Sequence, residues 1–250
     1  MYHRSGERAF GVSLRMEWDE LPGLFPMLPE PARWLPLLRR HLELIVAAEE
    51  HTRVTSVAPA DAIQRHYAES LETWRIAVEA SGSMPATAVD VGSGGGFPGL
   101  VMACITPGTT FHLVEPLQKR ARLLEAMASD LGLSNVRVHP QRAEDAGKGP
   151  LRDAAPLVTA RAVAKLAELL EYTAPFAAVG GLVALPKGSG LAGELEHAAR
   201  AMEKLSCRHL GTWQMRPEVS DSARVAVFEK TAMTGSVYPR RAGVPGKQPL

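Results

Sequence analysis

Cysteine is scarce. Only Cys104 and Cys207 occur in 250 residues, which excludes a disulfide framework and a cysteine-rich zinc site and fits a reducing compartment such as the cytoplasm. Long apolar segments are also wanting: the charge-free stretch Tyr172–Pro186 carries two Pro and two Gly and falls short of the roughly 20 residues that span a bilayer. No membrane association is expected. The first twenty residues contain no apolar segment of the kind that marks a secretory signal. An excess of one charge is missing as well, with 28 Lys and Arg against 27 Asp and Glu. The whole-chain charge therefore neither indicates nor excludes a nucleic-acid partner, and distribution has to decide.

Distribution is uneven at the C-terminal end. Lys230, Arg240, Arg241 and Lys247 have no acid among them, whereas residues 1–50 hold six Arg and eight acids. An acid-free basic tail suits a phosphate backbone. The 46% hydrophobic and 22% charged content is that of an ordinary folded chain, long enough for one α/β domain with an appendage.

Residues 1–31, with four prolines between Leu21 and Pro31, read as an irregular arm. Residues 32–82 read as two helices. The first repeats Leu35, Leu38, Leu42 and Ile45 at helical spacing with Pro36 in its first turn. The second carries an apolar stripe of Ile63, Tyr67, Leu71, Trp74 and Val78, with Arg65, His66 and Glu69 off it. From 83 to 232 short β-branched runs at 86–91, 110–115, 135–139, 157–160 and 181–185 alternate with helices near 117–131, 163–174 and 191–205. Two strands at 208–214 and 224–230 follow without a helix between them. This alternation predicts a doubly wound, mostly parallel, seven-stranded sheet with an antiparallel ending. Residues 233–250 form the basic tail.

The chemistry concentrates at 88–103, AVDVGSGGGFPGLVMA, where a strand runs into glycines 92, 94, 95 and 96 before a helix. A bare turn needs one or two glycines; more of them indicate that the backbone must approach a ligand. Gly94–Gly99 satisfies G-x-G-x-x-G and Glu115 follows about twenty residues on, so a nicotinamide-dependent oxidoreductase is the competing reading. Asp90 before the turn and Glu144-Asp145 after the third strand argue against a pyrophosphate. They favour S-adenosyl-L-methionine, whose amino group and sulfonium are cationic. The turn Gly92, Ser93, Gly94 and Gly96 would then cradle the amino-acid end, Phe97 would cover the apolar side, Glu115 would take the ribose hydroxyls, and Ala143 and Glu144 would meet the adenine. A binding protein that keeps the pocket without activity is a third reading.

DVGSGGGFPG at 90–99, VEPLQKRARLLE at 114–125, ARAVA at 160–164, LPKG at 185–188 and YPRRAG at 238–243 together resemble the glucose-inhibited division protein B family, the bacterial 16S ribosomal RNA guanine-N7 methyltransferases. The resemblance runs from about Leu37 to the C-terminus. It implies a Rossmann-like class I S-adenosylmethionine-dependent methyltransferase fold. Cofactor contacts are implied at Gly92, Phe97, Glu115, Ala143, Glu144 and Arg161, and the implied substrate is one guanine of 16S rRNA in the small ribosomal subunit. Arg161 comes from the resemblance alone, because an Arg at a strand end is more often a surface charge. The chain departs from the family at Arg53, usually Asn, at Glu69, usually Asp, at Ala160, usually Ser, and at the inserted Pro186.

Methylation at guanine N7 needs no proton removed before attack, so no general base is expected. The target base should lie in an unpaired or splayed loop. Phosphate contacts are expected from Arg65 and His66, Lys119 and Arg120, Lys187, and Arg240 and Arg241. A monomer is expected.

Overall fold

The computed structural model describes residues 16–50, 52–161 and 164–250. Seven strands, β1 (Thr87–Val91), β2 (Thr110–Val114), β3 (Val136–His139), β4 (Ala155–Thr159), β5 (Ala177–Lys187), β6 (Cys207–Gln214) and β7 (Arg224–Lys230), form one sheet in the order β3-β2-β1-β4-β5-β7-β6. The five strands β3, β2, β1, β4 and β5 pair in parallel. β7 and β6 close the sheet in antiparallel register. This is the expected doubly wound architecture. The order reverses between β1 and β4, the position at which such sheets open a ligand crevice beyond the carboxyl ends of their strands.

The sheet is covered by α2 (Pro31–Glu49), α3 (Glu69–Ser81), α4 (Gly99–Ile105) and α5 (Gln118–Asp130), by the single turn α6 (Ala143–Ala146), and by α7 (Leu166–Thr173), α8 (Leu191–His197) and α9 (Ala199–Lys204). Two apolar clusters result. One joins α2, α3, α4 and α5 around Trp34, Leu38, Trp74 and Phe111, and the other packs α7 and α9 against Val89, Val158, Val183 and Phe228.

Four sequence expectations are corrected. The segment up to residue 30 is no irregular arm where it is described: Trp18–Glu20 and α1 (Leu21–Leu24) are helical turns, and Leu21 and Phe25 are wholly buried. Arg216 fixes the segment by donating to the Leu24 carbonyl at 2.5 Å and to the buried carboxylate of Glu72 at 2.7 Å. Residues 1–15 lie outside the described residues. Pro36 falls in the second turn of α2, since Pro31 takes the first position. The helix expected at 191–205 breaks at the fully buried Ala198 into α8 and α9.

The basic tail is the fourth. Just before it, Lys230 at the end of β7 is completely buried and paired with Asp153 at 3.0 Å. Arg240 clamps the fully buried Glu171 with its backbone N–H and guanidinium and also donates to the Gln248 carbonyl. Arg152 donates to the carbonyls of Thr234 and Tyr238. The tail, with its last turn α10 (Val244–Lys247), is a strap laid along α6 and α7. Part of its charge is met by acids from elsewhere in the chain, Arg240 being engaged by Glu171 rather than set out as a free cation.

Candidate active-site cavity

A cavity of about 820 Å³ opens beyond the carboxyl ends of β1, β4 and β5. Gly92, Ser93, Gly94, Gly95 and Phe97 line it from the turn after β1, Arg161 from the end of β4, and Pro186, Lys187 and Gly188 from the end of β5. Arg65 and His66 come from the helical turn just before α3 and Glu69 from its first residue, and Val54–Val57 and Arg120 complete one side.

The turn's shape follows from its glycines. Gly94 has φ +53°, and a Cβ there would meet nothing closer than the Gly92 carbonyl at 3.9 Å and the Val54 carbonyl at 4.0 Å. Open space at a left-handed position leaves the backbone accessible to a ligand. Gly96, by contrast, is needed for packing: a Cβ on it would lie 2.7 Å from the Leu100 Cβ. It lies off the cavity lining, and its packing against Leu100 accounts for the glycine.

Buried side chains hold the turn from the N-terminal side. His41, wholly buried in α2, donates from Nε2 to the Gly95 carbonyl at 2.9 Å and accepts the Tyr67 hydroxyl at Nδ1 at 3.1 Å. Burial holds its pKa down to about 4, so the ring is neutral. His66 stacks on Phe97 with ring centroids 4.1 Å apart. It accepts Arg161 Nη2 at Nδ1 (2.5 Å) and donates from Nε2 to Thr55 Oγ1 (2.6 Å). Desolvation, with the Arg161 charge adding to it, depresses its pKa to about 3. Arg161 also donates to the Arg65 carbonyl at 2.7 Å and lies over the Phe97 ring at 5.3 Å. The guanidinium thus locks the end of β4 to the helical extension and to the Gly-rich turn at once.

His66 sits inside because Ile63–Ala68 is a π-helical turn. In that wider turn His66, Tyr67 and Ala68 are buried consecutively, whereas a regular helix places His66 off the stripe. π-turns of this kind are common at functional sites. His66 is therefore a buried wall of the cavity, engaged by Arg161 and Thr55.

The cavity gathers Gly92, Ser93, Gly94, Phe97, Arg161, Arg65, His66, Arg120 and Lys187 of the sequence-predicted residues. Lys187 is occupied, pairing with Glu194 at 2.7 Å and donating to the Ala164 carbonyl. Arg120 donates to the Arg53 carbonyl at 2.8 Å. The others lie off the lining. Glu115 is buried and accepts the N–H groups of Gly94 (2.9 Å) and Leu117 (3.0 Å). Ala143 and Glu144 open α6, where buried Glu144 accepts the Gly243 N–H of the strap at 2.8 Å. Lys119 and Arg241 are exposed elsewhere. Asp90 is buried beneath the turn, accepting the Gly99 N–H at 3.1 Å, with Oδ1 unpartnered and its pKa raised by desolvation to about 6. Neither Asp90 nor Glu144 faces the cavity, so they do not separate the two cofactor readings in the way the sequence suggests. Ala162 and Val163 of the ARAVA segment lie outside the described residues.

Sequence reasoning missed His41 and Tyr67. The signal was available: Trp34, Leu38, His41 and Ile45 form the buried stripe of α2, and a histidine on such a stripe requires hydrogen-bonding partners.

The family model described as rRNA small subunit methyltransferase G matches residues 35–219. The chain is similar to a protein named "Ribosomal RNA small subunit methyltransferase G" from Dehalococcoides mccartyi, 44% identical over 164 residues, 65% of this chain and 70% of that one. It is 38% identical over 207 residues to a protein of the same name from a Roseiflexus species, covering 80% of this chain and 86% of that one. Among solved structures, a SAM-dependent O-methyltransferase from Thermotoga maritima shares the fold with a TM-score of 0.52 at 16% identity, over 77% of this chain and 72% of that one.

Proposed function

The chain belongs to the rRNA small subunit methyltransferase G family, its cofactor is S-adenosylmethionine, and from that premise we propose that it methylates N7 of one guanine in 16S rRNA. The substrate form is the small ribosomal subunit, and the enzyme acts as a cytoplasmic monomer. One observation carries this reading: the Gly-rich turn opens onto the same cavity as the side chains of Arg65 and Arg120, so a cationic methyl donor and a phosphate-bearing substrate share one chamber. The nicotinamide alternative is not retained.

The residues fit the cofactor. Gly94 leaves its cavity side open to the ligand. Gly92, Ser93, Gly94 and Phe97 hold the amino-acid end, and Arg161 fixes Phe97 and His66 around it. Glu115 at the end of β2 and Ala143-Glu144 after β3 serve the ribose and adenine. Each Glu115 oxygen has one lone pair engaged by a backbone N–H and another left to accept a hydroxyl. When bound, the cofactor supplies an electrophilic methyl group. The protein's part is to hold N7, whose lone pair is already free, in line with that carbon, so that catalysis rests on proximity and orientation. No side chain has to take a proton before attack. His41 and His66, both held neutral, are structural in this scheme.

The test is transfer of labelled methyl from S-adenosylmethionine to unmodified small subunits, followed by nuclease digestion and mass spectrometry. N7-methylguanosine is the expected product, and any other methylated nucleoside overturns the assignment.

A further inference from the structure

Adenine and guanine both offer N7 as a lone-pair acceptor, so the reacting atom carries no base identity. Guanine is distinguished at its opposite edge, where N1–H and the 2-amino group are adjacent donors and adenine presents an acceptor at N1. Enzymes that work on an extruded base read it along this Watson–Crick edge. Two adjacent donors call for two adjacent acceptors, which an ionised carboxylate provides.

Three carboxylates line the cavity: Glu69, Glu194 and Asp221. Glu194 is engaged, its Oε2 accepting Lys187 Nζ and the Leu166 N–H, each at 2.7 Å. Asp221 is exposed, where water competes for it. Glu69 is held more loosely than Glu194 and buried more deeply than either. Its side chain is 18% exposed, Oε2 lies 3.4 Å from Arg161 Nη1, and among the described residues Oε1 accepts no hydrogen bond. Burial raises its pKa while the Arg161 charge favours the ionised form. Through Arg161 it is tied to the Phe97 ring, and hence to the turn that holds the methyl donor.

We propose, resting on the guanine-N7 reading above, that Glu69 selects the base: its carboxylate accepts N1–H and the 2-amino group of the target guanine and so presents N7 at the base's other edge. Adenine at this position would set its N1 lone pair against a carboxylate, leaving a buried acceptor unsatisfied. Sites built on such a hydrogen bond reject analogues that lack it far more strongly than sites built on shape.

The experiment uses small subunits reconstituted with RNA carrying either guanosine or inosine at the methylated position, inosine lacking only the 2-amino group. Wild-type enzyme is expected to prefer guanosine by about tenfold to a hundredfold, as a hydrogen bond to a charged group implies. Glu69→Gln is expected to lose most of its rate on guanosine and to treat the two substrates alike. Glu69→Asp keeps the preference at a lower rate. Calorimetric binding of S-adenosylhomocysteine by both variants verifies their fold. Two results overturn the proposal: a wild-type enzyme indifferent to the substitution, or a Glu69→Gln variant slowed equally on both substrates with its preference intact, which reduces Glu69 to a support for Arg161. Absence of N7-methylguanosine from wild-type reactions would instead overturn the underlying function before any variant is compared.

Discussion

Arg161 and Arg240 exchange the places that their sequence contexts suggest. Arg240 stands in an acid-free basic tail, yet it is spent on the buried Glu171. Arg161 looks like a solvated strand end, yet it is the hub between Phe97, His66 and the Arg65 carbonyl at the cavity wall. Charge that is isolated along the chain need not be isolated in space. Arg240 and Lys230 look unpaired along the chain because the acids they meet, Glu171 and Asp153, lie sixty or more residues away in sequence.

Removing the strap's clamp gives the largest expected effect. Arg240→Ala leaves Glu171 buried without its cation and should cost about 3 kcal/mol in denaturant unfolding, the low end for a broken buried pair because Arg240 is itself part-exposed. The salt dependence of RNA binding should not change. A flattened salt slope in a variant that remains folded would restore Arg240 to the RNA footprint.

On the cavity side, His41→Phe removes the donor to Gly95 and strands the Tyr67 hydroxyl, with an expected loss of about 2 kcal/mol and weaker S-adenosylhomocysteine binding. The pH dependence has a definite sign. Folded His41 has its pKa held down to about 4, below the roughly 6.5 of an unfolded histidine, so as pH falls from about 6.5 toward 4 the unfolded chain takes up a proton that the folded one refuses. Stability is full above that window and declines within it, by on the order of 3 kcal/mol at its acid end. Equilibrium unfolding between pH 7 and 4.5 should show a shallower acid loss in His41→Phe. An unchanged acid limb would mean that His41 is not the group responsible.

Arg65→Ala combined with Arg120→Ala should lower RNA affinity and reduce the slope of log affinity against log salt by roughly 1.4, at about 0.7 per single-strand phosphate contact. A slope equal to the wild-type value would remove the rim from the footprint. Arg241→Ala is the smallest change. It should move stability by less than about 0.5 kcal/mol, as surface substitutions do, and the salt slope by no more than one contact's worth.

The sheet was legible because each strand is a short β-branched run bounded by turn residues, and its bounds shift by no more than two residues except at β5. That strand begins at Ala177, pairing with Ala155 across an irregular register, whereas the sequence reading starts it at Gly181. The Gly-rich turn was legible for a local reason, since glycine demand is written in adjacent residues. The wall around it was not. The π-turn that draws His66 inward is a departure from helical period that an apolar stripe does not reveal, and the His41–Gly95 and Arg161–Arg65 contacts join residues 54 and 96 positions apart. Ion pairing of the strap is hidden in the same way, because local composition records a charge without its distant partner.

The sealed corner under the strap also makes a chemical reporter. Lys230 has no exposed side chain and shares its ammonium between Asp153 Oδ1 at 3.0 Å and Thr234 Oγ1 at 2.6 Å, whereas Lys119 and Lys165 are exposed. An amine-acylating reagent will label those two at once and Lys230 only as fast as that corner opens, so the mass-spectrometric lag at a single lysine times the breathing of the whole C-terminal edge.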